Sequence, residues 1–444
     1  MENTKNTIKV TMGPMNAPFE DHPCTIIATC ELLGTPLPYY AICKNQPSKY
    51  IPGGVLTGKL SDIKKRLGSR MPLMDADELK KVRRLFRRKY KSQENLKFTK
   101  TDLTVYFCDW LLFARGRGFS YNDYFDFEFY NKEPEVRDTF LSEGYRERLF
   151  KACANKEYRK IFAQKTLFNE KFSKYVKRDW LDARKCTFEE FQIFIEKHEE
   201  FFGKPIVGSS GIGARTIRRD EGSPENLYEM CKNNKLILEE LIVQHDEIAE
   251  FNSSTLNTVR VNTLLCADGV PRIVLTVARF GRSGNCVDNF HNGGVGAIVD
   301  IETGKIITEA INRSHIRTKV HPDSKKEFLG FQYPEWDRIK KAVCEAALMI
   351  PEVRNVGWDV AVTKDGNIEF VEGNCKPSFD VLQSPDQLGR RFRYEPYLPD
   401  LEALKGIETE EIEPLVVHTK QPVVRKIKRK ARKITRKIKR KIGK

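Results

Sequence analysis

No apolar run in these 444 residues comes near the roughly 20 residues a helix needs to span a bilayer. The polar stretch Met1–Val10 lacks the hydrophobic core of a signal peptide. Eleven cysteines lie between Cys24 and Cys375, and none forms a C-x-x-C pair. An odd, unpatterned set without an export signal predicts reduced thiols in a cytoplasmic chain, most of them small buried apolar side chains. No internal repeat is present. Acid is missing from residues 420–444, which hold fourteen Lys and Arg, so the rest of the chain carries only +2 of the net +16. The basicity belongs to a tail, and the body is nearly neutral.

What remains is the composition of a soluble globular protein, 40% apolar and 31% charged, long enough for two or three domains. Residues 1–98 hold short apolar runs, Pro/Gly punctuation at Pro52-Gly53-Gly54 and a basic helical stretch, Leu79 to Lys91, that reads as a solvated face. Residues 99–130 are rich in aromatics, among them Phe107, Trp110, Phe119, Tyr124, Phe127 and Tyr130, which predict helices packed on the following domain. The expected organisation is an unassigned, mostly helical N-terminal region at 1–150, a catalytic domain at 151–405 with a lid subdomain at about 185–243, and a linker with a basic helix at 406–444.

Punctuation sharpens after residue 185. Thr187 and Glu190 form a capping box ahead of Phe188, Phe191, Ile195 and Phe202 at helical spacing, with Gly203 expected to end that helix. A short strand, Lys204–Val207, and a glycine-rich loop, Gly208-Ser209-Ser210-Gly211-Ile212-Gly213, follow, then a strand at Leu236–Ile242. Three hairpins are predicted around Asp268-Gly269, Thr303-Gly304 and Asp365-Gly366, with a helix at about Trp336 to Ile350 before the third. This is an α+β pattern with antiparallel strands.

The third hairpin carries the sharpest inference. With Asp365 and Gly366 as the two central turn residues, Lys364 faces Asn367 and Asp359 faces Glu372. Two carboxylates directly opposite on one face stand about 5 Å apart at Cβ and repel. Asn374 adds an amide oxygen two residues on. A divalent cation turns this repulsion into attraction, and oxygen-only ligands suit Mg²⁺. The plain alternative is a solvated strand face, against which Val360, Val362, Phe370 and Val371 argue. The glycine loop is less specific. Ala214-Arg215 stands where a Walker loop needs Lys-Ser/Thr, and the spacing is not that of a dinucleotide fingerprint. Its small residues let backbone N–H groups approach a phosphate, or form an ordinary flexible loop. Lys204 is a candidate phosphate contact or a plain surface lysine.

Several segments together resemble the ATP-grasp superfamily, nearest its sugar-transfer-associated branch. They are Lys204-Pro205 with its loop, Leu238–Ile242, Asn257-Thr258-Val259-Arg260, Gly293-Gly294 before Asp300, His321-Pro322-Asp323, Val356–Asp359, Phe370–Asn374 and Gln383, over roughly residues 160–390. The resemblance implies a fold of two α+β subdomains gripping ATP, with Lys204 and Lys165 on the nucleotide. Ser209, Ser210, Gly211 and Gly213 would lie over the phosphates. Glu239, Glu240, Leu241 and Ile242 would form the hinge that reads adenine, and Glu247 would hold the ribose. Asp359, Glu372 and Asn374 would hold Mg²⁺. D-alanine–D-alanine ligases carry an arginine where Gly357 stands here, so Arg260 and Arg279 are the candidates to stabilise the reacting groups.

The resemblance implies an ATP- and Mg²⁺-dependent ligase that activates a carboxylate as an acyl phosphate for attack by an amine or similar nucleophile, on a sugar or precursor in cell-surface polysaccharide biosynthesis. The alternatives are phosphotransfer without ligation and a non-catalytic nucleotide-binding module that tethers a glycan-assembly complex. In the tail, Ile427, Ala431, Ile434, Ile438 and Ile442 recur at helical spacing amid basic residues. This predicts an interfacial helix on anionic lipid at the inner face of the membrane, with nucleic-acid contact or a disordered basic tail as alternatives. No aromatic is interleaved to stack on bases.

Overall fold

The computed structural model describes residues 118–405 apart from 133, 209–212 and 283–292, together with shorter pieces before residue 118. The tail therefore lies outside the described residues. Between residues 7 and 59 the described pieces are strands in two three-stranded sheets, followed by the helix Ala76–Lys91. Among the described residues before 150, strands thus stand beside helices. The aromatic-rich segment does pack as a core: Trp110, Phe119, Tyr124, Phe125 and Phe129 are buried.

Two antiparallel sheets dominate the rest. The smaller orders its strands as Trp180–Asp182, Leu236–Glu240, Glu200–Pro205 and Arg215–Arg218. The capping box forms as expected, with Thr187 Oγ1 accepting from the Glu190 amide. The helix it starts, Phe188–Lys197, turns Phe191, Phe194 and Ile195 onto Phe201, Ile217 and Leu238 of the sheet. That helix stops at Lys197 rather than Gly203, and Phe202 and Gly203 lie inside the strand Glu200–Pro205.

The larger sheet has seven strands, in the order Arg317–Thr318, Ala310–Asn312, Val295–Ile298, Pro271–Phe280, Thr258–Leu265, Asn355–Val362 and Ile368–Asn374. The first and third predicted hairpins are present. The second is reduced to an isolated bridge between Val299 and Ile306, and Val295–Ile298 pairs instead with Ala310–Asn312. Every residue of Thr258–Leu265 and Asn355–Val362 is buried, because both faces of the sheet are covered. The helix Trp336–Met349 packs Ile339, Val343 and Ala347 on one face beside Val259, Val261 and Val360. On the other face the helix Glu143–Cys153 packs Tyr145 and Leu149 against Leu264, Leu275 and Val277. This second helix runs across the expected boundary at 150/151, so the hydrophobic core of the larger unit starts before it. Among the described residues no helix is long and apolar enough to cross a membrane.

Candidate active site

A cavity of about 660 Å³ lies where the two sheets meet, lined by Lys165, Lys204 and Glu239 from one side and Arg279, Asp359 and Glu372 from the other. Lys204 sits on the strand Glu200–Pro205 directly opposite Ile237, and its buried ammonium lies 2.6 Å from Glu239 Oε2. The other Glu239 oxygen accepts from Arg178 at 2.9 Å and from Asn169 at 3.0 Å. Burial alone would raise the Glu239 carboxyl, but the charges of Arg178 and Lys204 outweigh it and hold the pKa at about 2. Arg178 continues to Glu369 at 2.7 Å and to the Phe370 carbonyl at 2.8 Å. A chain of alternating buried charge thus runs from Lys204 in the smaller sheet to Glu369 in the larger. Lys165 donates to the Gly208 carbonyl at 3.1 Å; its pKa is pulled down by burial and by nearby Lys204, with Glu372 opposing.

The Asp359 hairpin reaches the expected pairing by an unexpected route. Asp359 does face Glu372, yet Val362 faces Ile368 and Val360 faces Phe370. The turn has three residues, 364–366, with the Thr363 amide bonded to the Asn367 carbonyl and Gly366 at φ 73°. Val371 is an extra residue in its strand, a β-bulge. The longer turn shifts the register by one, the bulge shifts it back, and the two carboxylates end up opposed. Asn374 lies opposite Gly357, with its side-chain oxygen accepting from the Lys376 amide at 2.9 Å.

The carboxylate pair is asymmetric. Asp359 accepts from Arg260 Nε and, at 2.8 Å, from Arg260 Nη2; Arg279 Nη2 lies 3.0 Å from Asp359 Oδ2. Burial would raise Asp359, but the two guanidiniums hold it at about 2. Glu372 is pushed up, first by burial and then by Asp359 itself. A Cβ at 357 would lie 2.9 Å from Asn262 Oδ1 and from Pro377 Cβ and 3.0 Å from Arg260 Cδ, so these three neighbours leave no room for a side chain there.

Other expected residues divide. Leu241 and Ile242 line the cavity beside Val243, Ala249 and Leu256, an apolar pocket at the end of the strand Leu236–Glu240. Glu240 also lines it, and its carboxylate accepts from the Asp179 amide at 2.9 Å. Glu247 does not line the cavity. It is exposed, whereas Asp246, one residue earlier, contributes to the wall. Ser209, Ser210 and Gly211 lie outside the described residues, and Gly213, at φ 79°, stands where the described chain resumes. His321 takes a structural place. Its Nδ1 accepts from the Asp323 and Ser324 amides, so Nε2–H donates to the Gly281 carbonyl at 2.9 Å at the end of the strand Pro271–Phe280. Arg178, unremarked in the sequence, is the principal residue missed. Its only local sign is a position just before the strand Trp180–Asp182.

A family model for sugar-transfer associated ATP-grasp proteins matches residues 135–395. The chain belongs to that family. Solved structures to which this ATP-grasp chain is similar include the ATP-grasp ligase PsnB complexed with a phosphomimetic variant of its minimal precursor, Mg and ADP, at 12% identity and TM-score 0.35, covering 56% of this chain and 60% of that one. The D-alanine–D-alanine ligase from Coxiella burnetii is similar at 14% identity and TM-score 0.34, covering 58% and 60%. N5-carboxyaminoimidazole ribonucleotide synthetase from Thermotoga maritima is similar at 12% identity and TM-score 0.31, covering 58% and 52%. The matched part of this ATP-grasp chain thus spans about three-fifths or less of these proteins' lengths. Comparison with curated proteins gave no match.

Proposed function

We propose that this chain is an ATP- and Mg²⁺-dependent ligase that activates a carboxylate as an acyl phosphate for attack by an amine or similar nucleophile, on a sugar or precursor in cell-surface polysaccharide assembly. The observation that carries this reading is the opposed pair Asp359 and Glu372 on the wall of the cavity between the sheets, with Asn374 two residues on.

These three residues fit Mg²⁺, since all their donors are oxygens and Glu372 is held above its usual pKa by burial and then by Asp359. Bound there, Mg²⁺ would neutralise phosphate oxygens. The apolar wall at Leu241, Ile242 and Leu256 suits an adenine ring. Lys165 and Lys204 bring positive charge to the same cavity, where a polyphosphate would lie. Arg260 and Arg279 hold Asp359 and would meet the charge that develops as a phosphoryl group passes to a carboxylate, where positioning plus fixed charge supply most of the catalysis. Closure of the smaller sheet with its glycine loop would exclude water from the acyl phosphate. In this reading residues 151–405, with the helix Glu143–Cys153 packed on them, are the catalytic unit, about 185–243 its lid, and the basic tail holds the enzyme at an anionic membrane surface.

The test is ADP and phosphate release by the purified chain against pools of uronic acids and amines, together with thermal melting. Mg²⁺–ATP at millimolar concentration should raise the melting temperature, because a ligand that binds only the native state stabilises it by mass action. ATP with EDTA should do much less. No shift with Mg²⁺–ATP removes the reading.

A further inference from the structure

The N-terminal segment that carries no legible motif builds one wall of a second cavity, of about 460 Å³, within the range of about 300–1,000 Å³ for small-molecule sites. This cavity shares Arg279 and Glu372 with the first. Molecules in the two cavities would therefore meet the same guanidinium and the same carboxylate. Arg260, Asn374 and Ser378 contribute from the larger sheet and the loop after it, and Ser120, Asn122, Asp123, Asp126 and Ser142 from the N-terminal segment. The wall is fixed in place by the fully buried Gln383, whose Oε1 accepts from the Leu141 amide at 2.8 Å and from the Arg390 amide at 3.1 Å.

The chemistry of the two ends differs. At the shared end stand Arg260, with Nε and Nη2 on Asp359, and Arg279, on Asp359 and on Thr258 Oγ1, and both guanidiniums bring positive charge to the cavity wall. Guanidiniums in this arrangement recognise a carboxylate or phosphate. The other end is polar, and the carboxylates of Asp126 and Glu143 on it stand beside cations. Asp126 is already neutralised by Lys89 at 2.7 Å and His315 at 2.8 Å. Glu143 is paired with Arg146. Burial pushes Asp123 up to about 8, against the Ser120 amide that donates to it at 2.7 Å. Hydroxyls, amides and carboxyls lining a cavity are satisfied by a ligand rich in donors and acceptors, and penalise an apolar one.

We propose that this second cavity holds the substrate whose carboxylate is activated, and that this substrate is a hydroxyl-rich carboxylic acid of about one or two sugar rings. Its carboxylate lies at the Arg260–Arg279 end and its hydroxyls lie along the Ser120–Ser142 wall. The reaction rests on the ligase reading above; the binding site does not.

Saturation-transfer NMR on the full chain tests the assignment, with and without Mg²⁺–ADP. The probes are D-glucuronate, D-galacturonate and D-mannuronate, with glucose, galactose and mannose as neutral counterparts and L-glutamate as an amino-acid control. At least one hexuronate should bind about tenfold or more tighter than its neutral counterpart and than glutamate. Asn122→Trp and Ser378→Trp fill this cavity and lie outside the walls of the first. Each should weaken the hexuronate by about tenfold or more while Mg²⁺–ADP affinity, which also reports folding, stays within about twofold. The proposal is overturned if no hexuronate binds under either condition, if neutral sugar or glutamate binds as tightly, or if both tryptophan variants bind hexuronate like the parent. If a hexuronate binds as expected while Mg²⁺–ADP does not bind, the site stands and the ATP-dependent reading falls.

Discussion

Arg260 stands directly opposite Asp359 across the Thr258–Leu265 and Asn355–Val362 strands, and its guanidinium holds both oxygens of that carboxylate. Glu372, on the other side of Asp359, is raised by burial and then by Asp359 itself. The two carboxylates therefore differ in what they do for the metal-free fold.

This asymmetry predicts opposite effects of two isosteric changes. Asp359→Asn takes the carboxylate from between Arg260 and Arg279 and should cost about 3–5 kcal/mol, the usual penalty for breaking a buried pair. Glu372→Gln removes a repulsion and should leave stability unchanged or raised. Both should abolish turnover. Urea unfolding in EDTA, beside an ADP-release assay, measures both effects. Equal destabilisation by the two changes would contradict the asymmetry.

On the nucleotide side, Lys204 is buried on a strand beside Glu239, while Lys165 stands at a helix start on the Gly208 carbonyl. Lys204→Ala should weaken Mg²⁺–ATP binding by about tenfold or more, and by more than Lys165→Ala does. Isothermal titration of both variants decides the ranking, and a reversed order would put Lys165 on the phosphates.

Glu239 makes acid stability testable. Its folded pKa of about 2 lies below the ordinary value of a glutamate, about 4.3, so its ionised form stabilises the fold. That contribution is fully present above about pH 4.3 and is lost as pH falls toward 2. Glu239→Gln should be less stable than the parent at pH 7, and the gap should narrow as pH drops below 4. Urea midpoints at pH 7, 5, 4 and 3 give the profile, and a gap that stays constant rules out this charge as its source.

The basic tail predicts membrane binding from the sequence alone. Each Lys or Arg near an anionic surface contributes on the order of 1 kcal/mol, screened by salt. The isoleucine stripe adds apolar burial, so binding should be only partly salt-sensitive. Deleting residues 420–444 should release the chain from anionic liposomes and leave ATP turnover nearly unchanged. Co-sedimentation across a salt series, with duplex DNA as competitor, is the measurement; complete displacement by DNA would favour nucleic acid instead.

Local chemistry made much of the fold legible. The Thr187–Glu190 capping box, the Asp268-Gly269 turn and the apolar strands of the Asp359 hairpin depend on neighbours in the chain, so short-range pattern suffices. The helix end at Lys197 was not legible, because Phe201 and Phe202 fit a helical stripe as well as a strand, and pairing with Glu239 and Glu240 decides between them. The register of Asp359 and Glu372 emerged from the sequence only because two one-residue offsets cancel.

By itself, then, the sequence determined the family, the opposed carboxylates and the lysine before the glycine loop, since these rest on motifs a few residues long. Tertiary structure alone decided that Asn262, Pro377 and Arg260 crowd Gly357, that Arg178 links Glu239 to Glu369, and that residues 120–146 wall a second cavity. Each of these depends on side chains dozens to hundreds of positions apart, such as Gln383 and Leu141. Their meeting is set by how the sheets and helices pack, which no local pattern encodes.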